Sequence, residues 1–155
     1  MRISRAVEVS VLVGVAVTST VFAQEKKINR ADLPPAVQKR IAEENKNSQI
    51  NGFSQEREKG QTFYEVEMIV DGHSKDILMS ADGVVVEVEE GKSLDSLGAA
   101  VRRGLYAKAG KGKIVKVESL TKRGTLVAYE AEVITGGKRT EIQVDPNGQP
   151  LDHEE

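Results

Sequence analysis

The chain has 155 residues, 22 of them Lys or Arg and 24 Asp or Glu, with two His and no Cys. That length suits one domain or two small ones, and 39% hydrophobic with 30% charged residues is the composition of a folded protein, not a disordered one. The missing Cys excludes a disulfide scaffold, a thiol nucleophile, a CxxC redox pair and a cysteine zinc site, and a net charge of −2 gives no global attraction to nucleic acid or anionic lipid.

Arg2 and Arg5 precede a mostly apolar run from Val9 to Phe22, which closes on Val21-Phe22-Ala23. A charged start, an apolar stretch and a small residue at the end predict a secretory signal peptide over residues 1–23, cleaved after Ala23. The run is short against the ~20 residues that cross a bilayer. The remaining chain is therefore expected in the periplasm or secreted, free of the membrane, with 20 basic and 23 acidic residues. Its aromatics are Phe53, Phe63, Tyr64, Tyr106 and Tyr129, so the core must be aliphatic.

The rest of the sequence is written twice. Tyr64-Glu65-Val66-Glu67-Met68-Ile69 matches Tyr129-Glu130-Ala131-Glu132-Val133-Ile134 at an offset of 65, and the match runs on through Gly83 and Gly148. Upstream the offset is 64, through Ala36/Ala100, Val37/Val101 and Ile50/Ile114. Two tandem units are expected, residues 24–90 and 91–155, with Gly91-Lys92 as the linker.

Each unit opens with a helix. In the first, Asp32 precedes Pro34-Pro35, and Val37 and Ile41 share a face. In the second, Ser93 or Ser96 serves as cap, Leu97, Val101 and Leu105 repeat every four residues, and Gly110 ends the helix. Strands are predicted at 50–56, 62–70, 75–80 and 84–89, and again at 114–120, 126–135, 140–144 and 149–153. The period-2 alternation sends Tyr64, Val66 and Met68 inward and Glu65 and Glu67 outward, the pattern of a sheet covered on one face. The expected fold is α+β: two tandem α-β-β-β-β repeats, each an antiparallel sheet with one helix on one face.

The order Leu33-Pro34-Pro35-Ala36-Val37, then Tyr64-Glu65-Val66-Glu67, the Asp71-Gly72 turn and Ala81-Asp82-Gly83-Val84-Val85 resembles the PepSY-like domains of exported bacterial proteins. These are similar in fold to the β-lactamase inhibitor protein. The resemblance implies a small exported module in a group where protein binding and peptidase inhibition are suspected, and it brings no catalytic residues with it.

Outward carboxylates are the most prominent chemistry: Glu65, Glu67, Asp76, Glu87 and Glu89 in the first unit, and Glu130, Glu132, Glu141 and Asp152 in the second. They are an acidic binding face for a basic partner or Ca²⁺, or else a solvated face balanced by Lys75, Lys116, Lys138 and Arg139. Phe63, Ile69, Leu78, Val85, Leu126 and Ile134 break the charged pattern with outward apolar side chains. Clustered, they would make an apolar patch ringed by acids, the anatomy of an interaction site. The candidate interaction face is thus Phe63, Glu65, Glu67, Ile69, Leu78, Glu87, Leu126, Glu130, Glu132 and Ile134.

His73 and His153 read as solvated turn and tail residues, and no Ser has a base and oxyanion-hole pattern around it. The basic stretch from Lys108 to Arg123 lacks the interleaved aromatics of a nucleic-acid groove. The expected function is a non-enzymatic exported binding module without a cofactor. Its partner is another exported protein, a hydrolase in the inhibitor-like version. A metal- or small-ligand-binding protein is the alternative.

Overall fold

The computed structural model describes residues 25–44, 47–151, 153 and 155; the expected signal peptide and Asp152 lie outside the described residues. Strand β1 (Lys26–Lys27) comes first, followed by a 3-10 turn at Arg30–Asp32 and helix α1 (Pro35–Glu44). Then come β2 (Ser48–Glu58), β3 (Gln61–Val70), β4 (His73–Ser80) and β5 (Val85–Gly91). A second 3-10 turn (Leu94–Ser96) leads into α2 (Ala99–Ala109), β6 (Lys113–Lys122), β7 (Thr125–Thr135) and β8 (Lys138–Val144).

The helices form where the apolar spacing predicts them. Val37 and Ile41 are fully buried on one face of α1, and Leu33, the extended residue that closes the 3-10 turn before it, joins them at 3% exposure. The cap before α1 differs from the expectation. Asp32 closes the preceding turn by accepting the Asn29 N–H at 3.0 Å, and Pro35 itself begins the helix, where its missing N–H costs nothing. On α2 the N-cap is Gly98, and Gly110 ends the helix with φ 58°.

All eight strands lie in one antiparallel sheet, in sequential order from β1 to β8. This overturns the expectation of two α-β-β-β-β units, each with its own sheet. Strand β5 pairs with β6, from Glu87 opposite Lys122 to Gly91 opposite Glu118, with no break in register. Two separate sheets would leave β5 and β6 as open edges whose backbone donors and acceptors lack partners, and pairing them satisfies both. Among the described residues the second half has only three strands, because the predicted strand at 149–153 is reduced there to a single bridge between Val144 and Pro150. Pro150 has no N–H to continue a ladder.

Because the β5–β6 register is continuous, the faces of the two halves continue into one another. Both helices therefore lie on the same side of the sheet. Under α1 pack Val66, Met68, Ile77 and Met79; under α2 pack Val117, Ala131 and Val144. The core is aliphatic, as the aromatic count requires. Leu105 is fully buried in the second cluster. Replacing it with Ala is expected to cost about 2–5 kcal/mol, read as a fall in urea midpoint at unchanged slope.

Candidate functional site

With both helices on one face, the other face of the sheet carries no secondary structure among the described residues. Its side chains run in rows across neighbouring strands. One row is Ser54, Glu65, Leu78, Glu87 and Lys122; the next is Gly52, Glu67, Asp76, Glu89, Leu120 and Ala128. A third joins Glu118, Glu130 and Gln143. The face is acidic, and its acids crowd around the β4–β5–β6 seam.

Carboxylate oxygens of Asp76, Glu89 and Glu118 all lie within 4.8 Å of one another, and those of Glu25, Glu65 and Glu67 do the same. Glu118 is only 6% exposed. It is held by the Lys116 ammonium at 2.7 Å and by the Ser74 hydroxyl, which donates to it at 3.1 Å from two strands away. Gly91 lies between Ser74 and Glu118 and leaves that path open: a Cβ there would sit 2.6 Å from the Ser74 oxygen. Glu65 accepts from the Ser54 hydroxyl at 2.8 Å and Glu130 from the Gln143 amide at 2.7 Å.

These acids are half-buried and outnumber their cations, so their charged forms are disfavoured. Desolvation pushes Glu89 up to about 8, with Glu118, Glu130, Glu87 and Asp76 adding repulsion. Desolvation likewise lifts Glu65 to about 7 against the opposing Ser54 hydrogen bond, and lifts Asp76 to about 6 with repulsion from Glu118. Glu56, Glu87 and Glu130 are raised in the same sense, again chiefly by burial.

Two concavities adjoin on this face. A small hollow of about 70 Å³ is lined by Glu56, Glu65, Asp76, Leu78, Glu87 and Glu89. Beside it, toward the hairpin ends, a groove of about 740 Å³ is floored by Phe63, Leu78 and Val86, with Val84, 56% exposed, at its rim. Glu58, Asp82, Lys122 and Arg123 border the groove.

The structure brings together Phe63, Glu65, Leu78 and Glu87 of the expected face, and places Glu67 one row further along beside Asp76. Glu130 and Glu132 stand across the seam, opposite Glu118 and Lys116. Ile69 and Ile134 are open-face residues away from the groove, opposite Ser74 and Arg139. Leu126 and Val85 are shifted out of the row by bulges. One bulge aligns Leu126 with Thr121, and another aligns Val85 with Met79, where Val85 packs on the first core cluster. An extra residue reverses the in/out parity of everything beyond it, which strict alternation cannot register.

Of the cations expected to balance the face, Lys116 and Arg139 do lie on it, Arg139 in an ion pair with Glu132. Lys75 and Lys138 pair with Met68 and Thr135 on the helix side. Lys75 and Lys92 share Glu90, at 3.4 and 2.8 Å, at the edge of a separate hollow that also includes His73. Glu118 and Lys122 escape the sequence reading as site residues. The alternation of Lys116, Glu118 and Leu120 is their only local signal, and nothing in it announces which strand lies alongside.

No family model matches the chain, and no curated protein matches it. Solved structures do. A BLIP-like protein of Bacteroides fragilis aligns with TM-score 0.58 at 20% identity, over 79% of this chain and 86% of that one. The fold is BLIP-like. A DUF2874 family protein of Bacteroides ovatus gives TM-score 0.61 at 18% identity, over 78% of this chain and 86% of its own. A candidate periplasmic protein of Bacteroides eggerthii gives 0.63 at 18%, over 77% and 86%. At these identities the BLIP-like likeness is one of fold. Among the described residues, no helix is long and apolar enough to cross a membrane.

Proposed function

We propose that this is an exported, non-enzymatic binding protein that engages another protein through the open face of its BLIP-like sheet. The observation that carries the reading is the condition of the face itself. Glu65, Asp76 and Glu89 are held part-desolvated, with raised pKa values, beside an apolar groove. Unpaired, half-buried acids are costly in the free protein, and a cationic partner would relieve that cost. The signal-like N-terminus and the candidate periplasmic assignment of a structural neighbour support export, and the likeness to a BLIP-like protein makes an exported hydrolase the first target to test.

A photo-reactive benzoyl-phenylalanine placed at Glu67 or Glu132, on the open face, is expected to give one and the same protein adduct in cell envelopes. Placed at Lys39 or Ala107, exposed on the helices, it should give none. Adducts confined to the helix positions, or absent from all four, would end the reading.

A second reading is favoured by the Asp76–Glu89–Glu118 geometry: a protein that binds a divalent cation or small ligand. Calcium needs six to eight oxygens, more than three strand-borne carboxylates provide alone. If calcium raises the melting temperature of the wild type but not of Glu89→Gln, this second reading displaces the first.

A further inference from the structure

The groove and the hollow are one surface, since Leu78 and Glu87 line both. Phe63, in the groove, and Glu65, in the hollow, are two residues apart on β3. Same-face neighbours along a strand are separated by about 6.8 Å. An extended chain laid over the face has that same period. An apolar side chain of such a segment over Phe63 thus places its next same-side residue over Glu65.

The hollow fixes what that residue is. Five carboxyl groups line it, and no cation does among the described residues. Two neighbouring cations are already engaged: Lys116 with Glu118 at 2.7 Å, and Lys122 with Glu87 and Glu155, each at 3.7 Å. The hollow, about 70 Å³, is far smaller than the adjoining groove and has room for one ammonium or guanidinium head. The groove, with Phe63, Leu78 and Val84, offers apolar surface to a larger, uncharged side chain.

We infer that the partner presents an extended segment of the form apolar–x–Lys/Arg, its apolar side chain seated over Phe63 and Leu78 and its cationic head in the carboxylate hollow of Glu65, Glu87 and Glu89. The inference rests on the open-face reading above and adds the chemistry of the segment recognised. The half-buried acids support it, because part of their desolvation cost is already met in the free protein and a cation in the hollow adds charge-assisted contacts.

The test is an amide-shift titration of the ¹⁵N-labelled protein with three synthetic peptides: acetyl-Ser-Phe-Ser-Arg-Ser-amide, its Arg-to-Glu version and its Phe-to-Ala version. The first should shift the amides of Phe63, Glu65, Leu78 and Glu87 in a saturable way. Each altered peptide should bind about tenfold more weakly or worse, the loss expected for one charge-assisted contact or one buried aromatic anchor. In the protein, Glu87→Gln and Leu78→Gln should each weaken the parent peptide to a similar degree, while Lys39→Ala should not.

Equal shifts from all three peptides, shifts on the helix face, or no shifts at millimolar peptide would overturn the inference. So would shifts at Asp76, Glu89 and Glu118 caused by calcium alone while the peptides do nothing. If the peptides fail but cross-links still form from Glu67 and Glu132, open-face binding stands and only the assigned segment chemistry falls.

Discussion

Raising the pH from about 5 to above 8 is expected to destabilise this protein, although most proteins hold or gain stability over the lower part of that range. Glu65, Asp76 and Glu89 have folded-state pKa values raised to about 7, 6 and 8, so between pH 5 and 8 the native state binds more protons than the unfolded chain. The stability they confer is complete below their unfolded values near 4 and is lost as pH rises through the folded ones. The groups responsible come from six strands, β2 to β7. Glu65 faces Glu56 and Asp76; Asp76 faces Glu67, Glu118 and Lys116; Glu89 faces Glu118, Glu130, Glu87 and Asp76.

The expected loss is on the order of 2–4 kcal/mol, below the simple sum of shifts, because solvent screens these half-exposed acids and one bound proton relieves several neighbours. Glu90 acts in the opposite sense. Its hydrogen bond from Lys92 and the nearby Lys75 hold it below its usual value, so its contribution is lost as pH falls below about 4.5. A stability maximum near pH 5 follows. Urea unfolding at pH 5 and pH 8.5 measures the difference. Glu89→Gln should leave the pH 5 midpoint unchanged and raise the pH 8.5 midpoint; a flat profile in the wild type would contradict the account.

Gly148→Ala is expected to be the most damaging of the glycine substitutions. Gly148 has φ 80°, and a Cβ there would run into the Ala100 carbonyl group at the start of α2. The approach is mutual, because a Cβ on Gly104 would strike the Gly148 carbonyl. Backbone cannot rotate away as a side chain can, so the cost combines left-handed strain of about 1–2 kcal/mol with a steric displacement of α2. At least about 3 kcal/mol is expected in total. The same contact recurs in the first half, where a Cβ on Gly83 (φ 81°) would lie 2.7 Å from the Ala36 carbonyl oxygen. Gly60 has φ 82° but open space around it, so Gly60→Ala should show the backbone strain alone, about 1–2 kcal/mol. Equal midpoint losses for Gly60→Ala and Gly148→Ala would show that the close approach to α2 contributes nothing.

The matches Ala36/Ala100 and Gly83/Gly148 were visible as a spacing in the chain, and in space Gly83 meets Ala36 and Gly148 meets Ala100, one hairpin-to-helix contact in each half. The helices were legible because Leu33, Val37, Ile41 and Leu97, Val101, Leu105 repeat at helical spacing, which is a local property of the chain. The long strands were legible for the same reason, through the alternation of Tyr64 to Met68 and Tyr129 to Val133. Where alternation met a bulge it failed, at Val85 and at Leu126. A bulge is a relation between two strands, and it leaves no mark on the hydrophobic pattern of either one alone.

The sequence by itself therefore determined the two helices, the strands β2 to β8, the aliphatic core and the acidic character of one sheet face, since each follows from residues within about one element's length of each other. Only the tertiary structure decided that β5 pairs with β6, and the candidate site depends on that pairing. Asp76 and Glu89 belong to one half of the chain and Glu118 to the other. They meet because two strand edges with unmet hydrogen bonds gain more from pairing with each other than from facing water, a preference set by backbone geometry that no side-chain pattern records.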